Sequence, residues 1–372
     1  MEKKQSLWPI ALIALLPLLT RDLSLAAGWL VGIAVGYVLQ RSKFCFASAF
    51  RDFFLFGSTG LLKTLLLTIA FTLIGFFLVQ STANFDGDFP PGVFRTVGLH
   101  TVIGALLFGL GMTLGGGCII IGLVRLGEGF FINILTLFAV LAGTFLAILH
   151  FPFWQQFSGE AVKIFLPNIF GKVLSLFISL AILCLIMVFL KIKDKQLGAL
   201  PEYVAVTSEE RKIWSPYKTA FSLAFMNTFI LVMMGDPILI SNVFPNWLGK
   251  FLAVFNIDIQ NLAFYQKYAS KIANKPFWDW DTILIFGIIF GANASAVFTN
   301  EFRIKPIRSA RQIIFAIIGG ILMGYGSRLA MGCTVGALIG GIASMSLHGW
   351  VFAFFLPVGV LAGVYILQWS VE

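Results

Sequence analysis

Charged side chains are scarce here: 12% of the 372 residues, against 59% hydrophobic and a mean hydropathy of +0.93. A water-soluble globular domain carries roughly twice that share of charge. The scarcity excludes one and points to a chain that crosses a membrane many times. Histidine is limited to three residues and cysteine to four (Cys45, Cys118, Cys184 and Cys333), with no C-x-x-C pair. That spacing speaks against a thiolate metal cluster, and no cysteine lies in a long polar loop where a disulfide would staple. No metal and no cofactor are expected. Acids are missing from the apolar runs, which argues against a cation path or a carboxylate proton relay. The net charge of +9 does not indicate nucleic acid, because the basic residues sit in short loops between apolar runs.

What is present is apolar sequence in membrane-sized blocks. Candidate spans lie at 7–20, 23–39, 60–80, 96–115, 130–150, 170–190, 219–234, 281–299, 312–328 and 350–368. The basic start and apolar run of residues 1–28 imitate a signal peptide, but the span count works better with that segment kept as a helix. Three apolar pieces are too short to span, around 43–57, 117–123 and 332–345, and each begins near a cysteine. Irregular backbone at membrane depth is tolerated where protein buries it or it lines a cavity, so these read as broken or re-entrant helices.

Loop charge sets the orientation. "QRSKFCFASAFRD" (40–52), "KIKDK" (191–195) and "NEFRIKPIRSAR" (300–311) are basic and belong inside, whereas "NFDGDFPPG" (84–92) is acidic and belongs outside. The neutral stretch from Asp236 to Asp281 reads as an external cap with an amphipathic helix near 257–271. Ten spans then leave both termini in the cytoplasm. The expected fold is all-α and polytopic, with residues 1–190 as one half, 191–218 as a cytoplasmic connector, and 219–372 as a second half that includes the external segment 236–280.

"GLGMTLGGGCIIIG" (109–122) and "GYGSRLAMGCTVG" (324–336) carry matching glycine, leucine and cysteine positions at a constant offset of 215 residues. A fainter echo pairs Gly28 with Gly287 and Gly32 with Gly291, which places the counterpart of Cys45 near Ile304. The two glycine-cysteine stretches follow loops assigned to opposite sides, so they enter the membrane from opposite faces as an inverted repeat. Gly116, Gly117 and Gly332 permit a helix break beside the cysteine. A short helix starting there presents free N–H groups and its positive end to an anion. Thr334 follows the second cysteine. Cys118 and Cys333 are candidate pathway residues because they pair across the repeat; Cys45, on spacing alone, reads equally as filler or as function. Cys184 reads as apolar filler, and His348 as a structural hydrogen-bonding group. Arg328, an intramembrane cation that the repeat does not require, is open between attracting an anion and holding broken-helix carbonyls.

These stretches, with "QRSKFCFASAFRD", resemble the YeeE/YedE family of prokaryotic sulfur-transport membrane proteins, and the likeness covers most of the chain. The resemblance implies an hourglass-shaped protein of the cytoplasmic membrane that imports thiosulfate. By motif match it implies that Cys45, Cys118 and Cys333 hand the ion along. It also implies that a small cytoplasmic sulfur carrier of the TusA type receives the sulfur. The ending "SARQIIFAIIGGILMGYGSRLAMGC…SLHGWVF" looks closer to the YedE branch, and Ile119, Ile120 and Ile121 stand where relatives often carry polar residues. A selenium oxyanion or another sulfur compound is the alternative cargo. A membrane sulfurtransferase with a cysteine persulfide is the alternative of a different class. Thiosulfate has a hard sulfonate end and a soft terminal sulfur, and a neutral thiol offers it a weak S–H donor and a polarisable contact.

Overall fold

The computed structural model describes residues 23–82, 90–158, 163–196, 213–255, 262–266, 277–307 and 309–370. Among them, nine helices are long and apolar enough to cross a membrane. They coincide with nine of the ten spans read from the sequence, and the tenth, 7–20, lies outside the described residues. The long helices are α1 (Leu23–Ser42), α3 (Gly60–Thr82), α4 (Leu99–Leu114), α6 (Ile132–Leu149), α9 (Lys172–Gln196), α10 (Pro216–Met234), α12 (Trp280–Phe298), α13 (Ala310–Leu329) and α14 (Leu347–Trp369). Shorter helices lie between them: α2 (Phe46–Phe56), α5 (Ile119–Gly127), α7 (Phe151–Ser158), α8 (Leu166–Phe170) and α11 (Val243–Val254). A π-helical turn, Thr334–Gly340, runs into a single α turn, Gly341–Ala343.

Glycine seams set how the long helices pack. Gly109 of α4 faces the Leu356 carbonyl of α14, and Gly359 of α14 faces the Leu106 carbonyl. The same pattern recurs where Gly324 of α13 faces the Val140 carbonyl of α6 and Gly143 of α6 faces the Ile321 carbonyl. A Cβ at any of the four would collide with the opposing oxygen. Small residues let helix backbones approach closely in a membrane, where lipid tails remove any hydrophobic drive to associate. The two seams map onto each other with offsets of 215 and 216 residues, so α4/α14 and α13/α6 are one arrangement built twice. Between them α4 and α13 run antiparallel, with Gly104 against Ala330 and Gly111 against Gly319 and Met323. Opposite directions for equivalent helices make the repeat an inverted one.

The fainter echo has a different origin. Gly32 meets the Leu284 carbonyl, Gly36 that of Ile288, Gly287 that of Trp29 and Gly291 that of Ile33. These glycines pair as 32/287 and 36/291 along one parallel contact between α1 and α12. They are two sides of a packing seam, not a trace of the duplication. Under the inverted arrangement the partner of α1 is α10: the chain leaves α1 through Lys43 (φ 52°) and α10 through Gly235 (φ 74°). Cys45 then corresponds to Pro237 rather than to a position near Ile304.

The stretch after α10 is not a surface cap. Ile238, Ile240, Val243, Phe244 and Leu248 are buried, and the Ile238 N–H bonds Asn227 Oδ1 at 3.0 Å. Most of the helix expected near 257–271 lies outside the described residues. Within it, Tyr265 donates to the Pro245 carbonyl at 2.8 Å and Phe264 packs edge-on against Phe151. Helix α9 stands apart, with Val173, Phe177, Leu185 and Phe189 exposed as a lipid-facing surface would be; Asp194 near its end accepts from Lys63 and Thr59 of the α3 start.

The seams predict matched losses. Gly143→Leu and Gly359→Leu should each destabilise the purified protein by at least the ~1–3 kcal/mol typical of overpacking, read as a lower Tm by tryptophan fluorescence in detergent. Leu185→Ala, on the exposed face of α9, should leave Tm unchanged.

Candidate functional site

Each of the three short apolar pieces starts as a helix whose N-cap is a cysteine. Cys45 caps α2, Cys118 caps α5 and Cys333 caps the π-helical turn, all three in extended backbone. Their carbonyls accept the first helical bonds, from Ala49 (2.9 Å), Gly122 (2.9 Å) and Ala337 (2.7 Å). The Cys45 Sγ also accepts from the Ser48 N–H at 3.4 Å. All three are buried, at 7%, 1% and 2% exposure. Cys118 lies between the others, within electrostatic reach of both, and the Thr334 hydroxyl sits against its thiol. That hydroxyl is buried without a nitrogen or oxygen partner. Three helix N-termini, three thiols and one unspent hydroxyl thus converge in the core between the halves.

The breaks before the two paired cysteines share their geometry. Gly116 takes φ 75° and Met331, 215 residues on, takes φ 52°. The left-handed conformation suits glycine and strains methionine. Gly332 is tight against Ala337 at the start of its turn, while Gly117 is in looser contact with Ile121. Each break frees backbone carbonyls, and long polar side chains reach them. Arg125 Nη1 donates to the Gly116 carbonyl, and the His348 ring pairs with the Ala330 carbonyl at 2.7 Å. Arg328 Nη2 donates to another carbonyl, that of Ser241 in the turn before α11, at 2.7 Å. Arg328 also lines a small cavity of about 30 Å³ with His100, Met331 and Trp154.

On the face of the 299–305 loop lies a much larger cavity of about 910 Å³. Its wall includes Cys45 and Ser48 at depth, Ile121 and Val124 of α5, five cations (Arg41, Lys43, Arg125, Arg303 and Lys305) and two acids (Glu128 and Glu301). The acids meet at Lys43 Nζ, at 2.9 Å from Glu128 and 2.6 Å from Glu301. Gln40 donates to both carboxylates and accepts from Ser295 Oγ at 2.6 Å. Partial burial would raise the Glu301 carboxyl, but Lys43 and Gln40 outweigh it and hold it below the ordinary carboxylate range. Cys118 and Cys333 do not reach this cavity, nor the small one opposite. Both lie buried in closed core.

Of the residues singled out from sequence, Cys45, Cys118, Cys333 and Thr334 come together, with Gly116, Gly117 and Gly332 shaping the breaks and Arg328 set apart towards the opposite face. Cys184 is exposed on α9. Sequence reading missed Arg125, Lys43 and their neighbours. Arg125 carried the signal that drew attention to Arg328, a cation seven residues from a paired cysteine, but it falls just past the short apolar piece 117–123 and was not singled out.

Comparison with known proteins gives the family. Residues 41–362 match the family described as Sulphur transport. The chain is 26% identical over 358 residues to the thiosulfate transporter TsuA of Escherichia coli strain K12, covering 92% of this chain and 94% of that one. It is 29% identical over 359 residues to the thiosulfate transporter TsuA of Spirochaeta thermophila, covering 91% and 98%. The probable transporter YedE of Escherichia coli is 30% identical over 148 residues, 40% of this chain and 36% of that one. With the match spanning all three cysteine-capped helices, this multi-pass membrane chain belongs to the Sulphur transport (YeeE/YedE) family.

Proposed function

We propose that the chain imports thiosulfate, with Cys118 and Cys333 as a relay at the closed constriction and Cys45 as the station on the cytoplasmic side. The observation that carries this reading is the convergence of three N-capping cysteines on one buried point. An anion there meets helix N-termini, the Thr334 hydroxyl and neutral thiols. Such contacts hold an ion weakly enough to release it. Gly116, Gly117 and Gly332 shape the breaks, and Arg328 supports the mouth on the far side. The relatives' printed cargo is thiosulfate, and the soft terminal sulfur of that ion suits a thiol-lined path better than an all-oxygen ion would.

The large cavity faces the cytoplasm in this reading, because the loops around it are the basic ones. Both termini then lie in the cytoplasm of a prokaryote, and the protein sits in its inner membrane. The halves 1–190 and 219–372 act as the two sides of the path, joined by 191–218. A TusA-like carrier collects sulfur at the cavity mouth. No catalytic step is invoked. A persulfide-forming enzyme needs a base beside its nucleophile, and the groups acting on Cys118 are two thiols, a hydroxyl and a backbone N–H.

Cys118→Ala and Cys333→Ala should each lower thiosulfate uptake into vesicles by about tenfold or more, ~1.4 kcal/mol of barrier, with expression unchanged. Uptake at the parental rate by the double variant would sink the relay. A fluorescent protein fused after Glu372 should fluoresce in whole cells, as a cytoplasmic C-terminus requires; a dark fusion with full-length chain in the membrane would reverse the orientation.

A further inference from the structure

The cavity below Cys45 is more than an exit. Its two carboxylates are spent on Lys43, with Gln40 bonded to each. Among the described residues, Arg125, Arg303 and Lys305 have no carboxylate partner, although all three line the same wall. Their positions are fixed by the two halves meeting. The 128–130 turn of the first half pairs with the 303–305 strand-like stretch of the second: Arg303 N–H donates to the Glu128 carbonyl (3.4 Å) and Lys305 N–H to the Gly129 carbonyl (3.0 Å). Two of the cations lie over the Phe130 ring, with Lys305 Nζ 3.7 Å and the Arg125 guanidinium 6.0 Å from its centroid. Aromatic faces hold cations in place without neutralising them. The result is a preorganised cationic wall with surplus positive charge, in a cavity of about 910 Å³ that has room for a hydrated ion.

We propose that this wall is a second anion station, chemically distinct from the thiols, which binds a tetrahedral dianion by its oxygens through Arg303, Lys305 and Arg125. Guanidinium and ammonium groups read hard oxygen acceptors, so the station takes sulfate as well as the sulfonate end of thiosulfate. The thiol constriction selects the soft sulfur; the vestibule does not. Occupancy from the vestibule side therefore slows delivery of the next ion, giving uptake that falls as dianions accumulate behind the constriction. This inference takes the direction and cargo of transport from the reading above, but the anion station itself stands on the charge arrangement alone.

The test is equilibrium dialysis of the purified full-length protein in detergent against radiolabelled sulfate, a probe with hard oxygens and no terminal sulfur. Saturable binding is expected, and the Arg303→Gln/Lys305→Gln variant should weaken it about tenfold, the effect of removing two nearby unit charges in a solvated cavity. Glu301→Gln should shift affinity the other way, tightening it about threefold by freeing part of the Lys43 charge. This gain cannot come from misfolding. Replacing Cys45, Cys118 and Cys333 together by Ala should leave sulfate affinity within about twofold, since no oxygen-reading cation is lost. Absence of saturable binding, unchanged affinity in the Arg303/Lys305 variant, or weaker binding in Glu301→Gln would each overturn the station. Loss of thiosulfate transport in the cysteine variants with sulfate binding intact separates the two stations. In vesicles, sulfate loaded on the vestibule side should slow thiosulfate uptake by the parent and not by the Arg303/Lys305 variant; equal slowing of both would also overturn it.

Discussion

Every helix break inside an apolar slab leaves backbone carbonyls and N–H groups with no water to satisfy them, at a cost of several kcal/mol each. The architecture of this protein follows from how it meets that constraint. Three breaks occur close together, and at two of them a freed carbonyl is taken up by a side chain that looks anomalous in the sequence, Arg125 on Gly116 and His348 on Ala330, while Arg328 holds the Ser241 carbonyl in the turn before α11. A cysteine stands at the N-cap position of each following helix, and the Cys45 thiol accepts from the Ser48 N–H. At the two paired breaks a long polar side chain meets a carbonyl, and the groups set against the N–H side are thiols. A site with donors to spare and no carboxylate in it is one that admits an anion.

The duplication makes the second requirement possible. Glycine seams bring α4 to α14 and α13 to α6 closely enough that half-helices from both halves end at one point. A side chain at these seam glycines would meet the opposing backbone. The two copies are not equal, however. Gly116 adopts the left-handed conformation without strain, and Met331 adopts it against its own preference. The cavities differ as well, about 910 Å³ on one side and about 30 Å³ on the other.

Much of this was legible in the sequence. Runs of apolar residues placed nine helices within a few residues of their ends, because length and hydropathy alone decide membrane spans. The offset of 215 found the paired breaks, and the three leftover apolar pieces became the three cysteine-capped helices. The location of Cys45's counterpart was misread because glycine spacing in α1 and α12 records a packing seam, and packing seams look like repeats when both helices use the same small residues. Arg125 was passed over because it falls just past the short apolar piece 117–123; only the fold shows the side chain turning back to Gly116. The Lys43–Glu128–Glu301 cluster joins residues 85 and 258 positions apart, a proximity that no local pattern carries.

Helix α9 packs loosely and carries none of the three N-cap cysteines, yet the arrangement has an arithmetic that depends on it. Among the described residues, each copy of the repeat has four long apolar helices, α1, α3, α4 and α6 in one and α10, α12, α13 and α14 in the other. An even number returns the chain to the side it left, and a second copy begun there would point the same way as the first. One additional crossing reverses it. The contribution of α9 is parity rather than contact: shortening it below a span would leave every seam residue in place and turn a pair of opposed half-helices into two that face the same way.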